Sequence, residues 1–369
     1  MNGARPPPAA FALAPLEELP ALSREVEDLA ARAVNPNPFF EPAFLGPAAE
    51  ALNPGAVQLA TVRRDGRLIL FAPIVRARFP RRMSVWTHPY APLGVPLVDA
   101  SASEAAFATL LTGSARIGCG PILFPDLPFA SAAAETLRAA GTKCGMRVFE
   151  AAPFSRPVLR LGDRKTRPSL GMLAAPKHRK ELRRQLRRLQ DRQPVLFETA
   201  RGEAEVATAF QAFLQLEASG WKGRRGTALA QHPAELSFAR SAVLGLARSG
   251  KAEIDLMRVG GTPVAAMIRI TSGGLAIPWK TAFDEAYAQS SPGKQLMWRA
   301  TATWLADGDL SEVDPVCEEG NPMLSMLWRD SEPYGTLVVG AGGASAIVAS
   351  LLDAKSRIRK RLRRAISRK

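Results

Sequence analysis

Cysteine and histidine are scarce, with three of each in 369 residues, and no two stand close together. Cys119, Cys144 and Cys317 are widely spaced and odd in number. They make no disulfide framework and fit a reducing compartment. No Cys/His cluster has metal-ligand spacing, so no metal site is expected. No run reaches the roughly 20 apolar residues of a membrane-spanning helix. The longest, Ala341 to Leu352, is short and glycine-rich. The first twenty residues, MNGARPPPAAFALAPLEELP, are broken by prolines before an apolar run develops, unlike a secretory signal. These absences point to a cytoplasmic protein that touches at most the inner face of a membrane.

What is present is a chain long enough for two domains, with an apolar fraction of 47% that suits a folded protein. Its net charge of +15 is uneven. Eleven Lys/Arg between Arg164 and Arg192 face only Glu181 and Asp191, and nine more from Lys355 to Lys369 face no acid. The rest of the chain is slightly acidic, so two local features carry the excess.

Val57–Val62 and Leu68–Val75 read as strands around Asp65-Gly66, a strong hairpin signal. Glu253–Val259 and Pro263–Ile270 repeat the pattern around Gly260-Gly261. A shift of 195 residues carries Val62 onto Met257, Ile69 onto Val264 and Val75 onto Ile270. Each hairpin follows a helical segment, which suits two copies of one α/β unit. Apolar spacing predicts helices over 206–216, 236–246 and 296–305, with further strands near Glu312–Val316 and Thr336–Val339. The expected class is mixed α/β.

Trp279 to Asp307 is the richest stretch. A strand carrying Lys280 leads through Asp284, Glu285 and Tyr287 to Gln289-Ser290-Ser291-Pro292-Gly293-Lys294-Gln295 at a helix start. Proline suits the first helical position, and the uncommitted N–H groups there form a receptor for phosphate or carboxylate. Lys294 adds a point charge. The plainer alternative is an ordinary helix start.

A block of residues in the second half resembles the GNAT acyltransferase superfamily, in the CelD-like, FemAB-related branch called the acetyltransferase (GNAT) domain. The residues are Leu216-Glu217-Ala218-Ser219-Gly220-Trp221-Lys222-Gly223, Ala252 to Leu256, Gly261 to Ala265, Lys280 to Glu285, Tyr287 and Ser291-Pro292-Gly293. Upstream, Lys177 to Arg184 is similar to the basic helix these proteins place before the domain. The resemblance covers roughly 170–335. Two departures stand out. Only Gln289 matches the usual pyrophosphate loop cleanly, and Gly320-Asn321-Pro322-Met323 lacks the lysine of a Tyr-Lys pair that many relatives carry.

The resemblance implies an α/β protein of two GNAT-like lobes, each a mixed, mostly antiparallel sheet flanked by helices. The expected boundaries are a disordered leader at 1–20, a degenerate GNAT-like lobe at 21–160 and a basic helical connector at 161–195. The acyltransferase lobe is expected at 196–340 and a basic amphipathic tail at 341–369. The implied activity is N-acyl transfer from acyl-CoA, such as acetyl-CoA, to a small-molecule, glycan or peptide amine in envelope or exopolysaccharide metabolism. Asp284, Glu285 and Tyr287 are the expected acid–base residues, since such transfer needs a base for the ammonium and an acid for the thiolate. A carboxylate raised by burial suits the first task. Gln289, Ser291, Pro292, Gly293, Lys294 and Gln295 are expected to hold the donor. Glu217, Trp221, Lys222, Asp255, Lys280 and Asp314 are expected at the acceptor. Cys317 has no downstream histidine to activate it, so direct attack by the amine is expected.

Two other classes stay open. A FemAB-like aminoacyltransferase would use charged tRNA, the one case in which nucleic acid is expected. A non-catalytic member would bind a membrane or partner through its basic segments. In the last segment Ile347, Leu351, Ile358, Leu362 and Ile366 recur at near-helical spacing among Lys/Arg. This suits either a helix over 347–369 on an anionic membrane or a disordered basic tail.

Overall fold

The computed structural model describes residues 9–162 and 166–366. The start of the expected leader, residues 163–165 of the basic connector and residues 367–369 of the tail lie outside them. The chain divides into two units, Met1–Pro42 with Asn53–Ser155 and Glu332–Lys369, and Ala43–Leu52 with Arg156–Ser331.

Early elements are β1 (Ala10–Pro15), α1 (Leu19–Ala31), α2 (Pro42–Leu52), β2 (Val57–Arg64), β3 (Arg67–Ala77), β4 (Arg82–Val85) and β5 (Leu97–Val98). They continue with α3 (Ser103–Arg116), β6 (Ile122–Pro128), α4 (Ala132–Lys143) and β7 (Arg147–Pro157). Next come β8 (Leu159–Arg160), α5 (Leu170–Leu173), α6 (Pro176–Gln190), β9 (Val195–Ala200), α7 (Gly202–Ser219), α8 (Trp221–Arg224) and α9 (Pro233–Arg248). The chain then forms β10 (Ala252–Val259), β11 (Thr262–Ser272), β12 (Leu275–Phe283), α10 (Pro292–Ala306), β13 (Glu312–Val313) and α11 (Pro322–Leu327). It closes with β14 (Ser331–Gly340) and α12 (Gly343–Ile366).

The first sheet runs β1-β2-β3-β4-β6-β14-β7, with β5 paired to β3, and the second runs β8-β13-β12-β11-β10-β9. Both are mixed and largely antiparallel, as expected, with parallel pairs at β4–β6 and β12–β13. The hairpin turns need left-handed backbone, and Asp65-Gly66 and Gly260-Gly261 all have positive φ.

Several expected boundaries are corrected. Ala10–Pro15 is a strand paired antiparallel to β2 from Ala10↔Arg63 to Pro15↔Gln58, so the leader is ordered over those residues. The one proline in this stretch, Pro15, stands at the end of an edge strand, where a missing N–H costs no ladder bond. Residues 332–340 and 343–366 are grouped with the first unit rather than with the expected lobe at 196–340 and the amphipathic tail at 341–369. Helix α2 is counted in the second unit, where Phe44 packs edge-on against Phe238 at 5.4 Å and Trp279 at 5.7 Å.

In the second unit, Met257, Met267, Leu296, Met297, Trp304 and Trp328 form a buried core with Leu182 and Leu189 of α6. Helix α6 exists because those leucines recur on one face while its Lys/Arg other than the half-buried Arg179 are exposed. Trp328 sits edge-on to Trp304 and donates through Nε1 to Thr301 at 3.2 Å, holding α11 to α10.

Candidate active site

Helix α10 begins at Ser291, whose backbone is left-handed at φ 50° and ψ 53°. Pro292 follows at the first helical position, no side chain caps this start, and its first turn holds no acid. The early N–H groups of the helix are therefore uncompensated, as is its positive dipole end. The opposite end is satisfied, because the Arg167 guanidinium donates to the carbonyls of Trp304, Leu305, Asp307 and Leu310. Gly293 lies against β12, where an added Cβ would sit 3.5 Å from Phe283 and 3.9 Å from Thr281, ordinary contact distances.

This start opens into a cavity of about 240 Å³ lined by Lys177, His178, Glu181, Leu182 and Gln185 of α6, by Ser291 and Lys294, and by Met326. The volume suits a phosphate- or pyrophosphate-sized group rather than a whole drug-sized ligand, whose pockets span roughly 300–1,000 Å³. His178 Nδ1 and Gln185 Oε1 are buried without a hydrogen-bond partner among the described residues. Orphaned polar atoms beside an uncapped helix start fit a polar guest.

The other side of β12 carries a charged cluster. The register with β11 slips between Ile268 and Arg269, so Trp279 is an extra residue in β12. The bulge lets the neighbours Trp279 and Lys280 both reach helices, α9 and α7 respectively. Trp279 meets Phe238 of α9, and Lys280 Nζ lies 3.5 Å from Glu217 Oε1 of α7. Glu217 is 0% exposed in its side chain and also takes Lys222 Nζ at 2.8 Å and the Leu229 N–H at 2.8 Å. Burial pushes the Glu217 carboxyl up, but the Lys280 and Lys222 ammoniums outweigh it, and the net shift is down. Burial presses Lys280 down to about 8, against the pull of Glu217. A small cleft of about 30 Å³ over this cluster is lined by Gly220, Trp221, Lys222, Thr281 and Phe283, room for about one water. Trp221 is 45% exposed, with the Arg225 guanidinium 5.2 Å over its ring. Phe283 and Thr281 border this cleft and also lie beside Gly293 at the α10 start, so both clefts flank the end of β12. β12 pairs with β13 only through Leu275 and Ala276, leaving Ile277–Phe283 outside that ladder.

The expected residues separate. Ser291, Lys294 and Gly293 stand at the cavity end of α10, and Glu217, Trp221, Lys222 and Lys280 gather at the second cleft. Gln289 is exposed and Pro292 buried. Gln295 is corrected as a donor ligand, since its buried side chain donates to the Leu182 carbonyl at 2.8 Å and ties α10 to α6. Glu285 is corrected as a base. It accepts from the Trp221 N–H and from Arg224, both at 2.7 Å, and the Arg224 bond holds its carboxyl low. Asp314 is corrected too, because it is consumed in a buried pair with Arg156 at 2.6 Å. Asp255 is buried, accepts from Thr199 at 2.6 Å and is raised chiefly by burial. It lines neither cleft. Asp284 Oδ1 accepts from the Ala286 N–H, and the Tyr287 ring packs on the core. The Cys317 thiol is pushed up to about 11 by burial, which suits a structural role. Lys177, His178, Gln185 and Met326 were not singled out from sequence as a set, because helical spacing alone does not show which face of α6 meets α10.

Among the described residues, no group of three or more His, Cys, Asp or Glu could hold a metal ion, and no helix is long and apolar enough to cross a membrane. The two mixed sheets flanked by helices are GNAT-like in fold. Residues 176–321 match the family described as acetyltransferase (GNAT) domain. None of the curated proteins compared with the chain matches it. Among solved structures, the C-terminal domain of a putative lysylphosphatidylglycerol synthetase from Agrobacterium fabrum is 13% identical with a TM-score of 0.55, covering 91% of this chain and 96% of that one. L-PGS from Bacillus licheniformis is 13% identical with a TM-score of 0.53 over 91% and 96%. FemX is 10% identical with a TM-score of 0.55 over 86% and 95%. At such identities the likeness is one of fold.

Proposed function

We propose that the protein is an N-acyltransferase that moves an acetyl or longer acyl group from a coenzyme A thioester to an amine. The cavity at the uncapped start of α10 carries this reading, through its orphaned polar atoms and the nearby Lys177 and Lys294. Those lysines and the first N–H groups of α10 would hold the donor's phosphates. The part of β12 beyond its short ladder with β13 would present main-chain groups to the donor's amide arm, and the bulge would present a donor to the thioester oxygen. The thioester supplies the activated acyl group. The amine nitrogen bonds to the carbonyl carbon, the C–S bond breaks, and the nitrogen's proton passes to a base while the thiolate takes one up. Asp284 and Tyr287, three residues apart beside α10, are the candidates for those transfers. In the Glu217–Lys222–Lys280 cluster, where Glu235 also acts on Lys280, the ammonium groups are the donors that a polar group of the acceptor would meet. Holding both reactants in attack geometry provides much of the rate, worth roughly 7–11 kcal/mol. Envelope or exopolysaccharide amines are the acceptor class that the family resemblance suggests.

A second reading, aminoacyl transfer from tRNA, has one observation of its own. Lys177, Lys180, Arg183, Arg184, Arg187 and Arg188 are all exposed on the helix that walls the cavity. Thermal unfolding with acetyl-CoA, longer acyl-CoAs and charged tRNA separates the readings, since a ligand of the folded form raises its melting temperature. Acyl-CoA is expected to raise it. A rise with charged tRNA alone favours the second reading, and no rise with either points to a member without transfer activity.

A further inference from the structure

Helix α12 has two apolar faces, and the first unit uses only one. Val348 and Ala349 are buried with Leu123, Ala151 and Val338, and Leu352 packs beside them. Asp353 accepts from the Ala152 N–H at 2.6 Å, and Lys360 donates to the Pro153 carbonyl at 2.9 Å. These contacts fix one side of the helix along its length. Ile347, Leu351, Ile358 and Leu362 are 63%, 57%, 58% and 59% exposed. At about 100° per residue they fall within roughly 60° of arc, on the side away from the packed residues. Exposed Lys355 and Arg359 flank this stripe on one side, and Arg357 and Arg361 on the other. The only acid of α12, Asp353, is the one tied to Ala152.

We propose that this outward face docks the protein on an anionic lipid bilayer, with the stripe entering the headgroup boundary and the flanking cations meeting lipid phosphates. Four large apolar side chains in line need an apolar medium, and two rows of cations beside them need negative charge. A second copy of the chain supplies the first but brings like charges to the second. The bilayer supplies both. This proposal stands apart from the transfer chemistry, as it uses none of the residues around β12 and α10.

The test uses the full chain and sedimentation with vesicles of phosphatidylcholine alone or mixed with phosphatidylserine. Wild type is expected on the mixed vesicles and not on the neutral ones, with binding that weakens as salt rises. The double change Leu351→Ser with Ile358→Ser should lower partitioning about 10-fold or more. Arg357→Glu with Arg361→Glu should do likewise, since each basic residue near the surface is worth about a fivefold change. Both variants should melt with wild type, because these side chains are exposed. Indifference of wild type to the mixed vesicles overturns the proposal. So does full binding by the serine variant, which would leave charge alone responsible. A wild-type dimer that the serine variant converts to monomer, without vesicle binding, assigns the stripe to self-association instead.

Discussion

The two units repeat one plan and differ where the chemistry would be. A shift of 195 residues carries β2 from Val57 to Ala252 and the end of β3 from Ala77 to Ser272, the bounds of β10 and β11. The hairpin bulge between Val62 and Arg63 returns between Met257 and Arg258. A parallel pair of two residues follows in each, β4–β6 and β12–β13, with α3 or α10 between its strands. The contrast lies in one connection. β4 is a short strand of four residues, whereas β12 has nine and runs on past its partner. Helix α3 opens at Ser103 with Glu104 in its first turn, held to Lys143 at 2.6 Å, whereas α10 opens on Ser-Pro-Gly-Lys with no acid. A repeated scaffold therefore carries an anion-receptive helix start in one copy and a self-neutralised one in the other.

That contrast is sharpest at the helix starts. At a donor concentration of about 100 Kd, binding stabilises the fold by about 2.7 kcal/mol. Gly293→Asp should remove the thermal shift with acyl-CoA entirely, while Ser103→Asp in the other unit keeps it. Gly293 does not have positive φ and has room for a Cβ, and an acid suits a helix start. Because Gly293 is buried, the melting temperature of the variant without ligand, expected to match wild type, separates loss of binding from unfolding. Equal shifts in wild type and Gly293→Asp would remove the donor from this seat.

The next effect is on stability. Glu217→Gln leaves Lys222 and Lys280 without their shared anion and should cost about 3 kcal/mol in urea unfolding, near the low end for a broken buried pair because Lys222 reaches solvent. A loss below about 1 kcal/mol would make the cluster an ordinary surface feature. Titration gives a third test. Between about pH 8 and 10.5 the folded chain has shed the Lys280 proton that the unfolded chain still holds, so this group makes stability rise with pH in that window. The rise should vanish in Lys280→Met, and in Glu217→Gln the Lys280 titration should move below 8, read by pH-dependent amine labelling. The smallest effect belongs to the first unit, where Glu25 pairs with Arg63 while 42% exposed. Glu25→Gln should cost less than about 1 kcal/mol. A larger loss would erase the energetic distinction between the two units' carboxylates.

The hairpins and long helices were legible because turn chemistry and apolar spacing are local. Asp65-Gly66 placed the first pair, and the stripe through Val206, Phe210 and Phe213 placed α7. The GNAT resemblance lay in contiguous residues and was equally readable. What sequence could not show was partnership across long separations. Nothing near Asp314 indicates that Arg156, 158 residues away, will consume it. The Gln295 side chain is likewise assigned only once Leu182 comes to meet it. The ionisable residues Glu285 and Lys280 looked alike as site candidates until Arg224 claimed the first and burial depressed the second. The strand at Ala10–Pro15 was hidden by the run of prolines before it in the sequence and by Pro15, which the end of an edge strand tolerates.

The place of β14 between β6 and β7 sets an order of events at the ribosome. Both neighbours are synthesised before β8, yet the strand that joins them begins at Ser331. At 5–20 residues per second the intervening stretch takes roughly 10–35 s to emerge. For that interval the nascent first sheet has two bare edges, the kind of surface that invites pairing with a neighbouring chain. The second sheet draws all its strands from Leu159 to Val313 and is free to form earlier, so the half translated first is the half finished last.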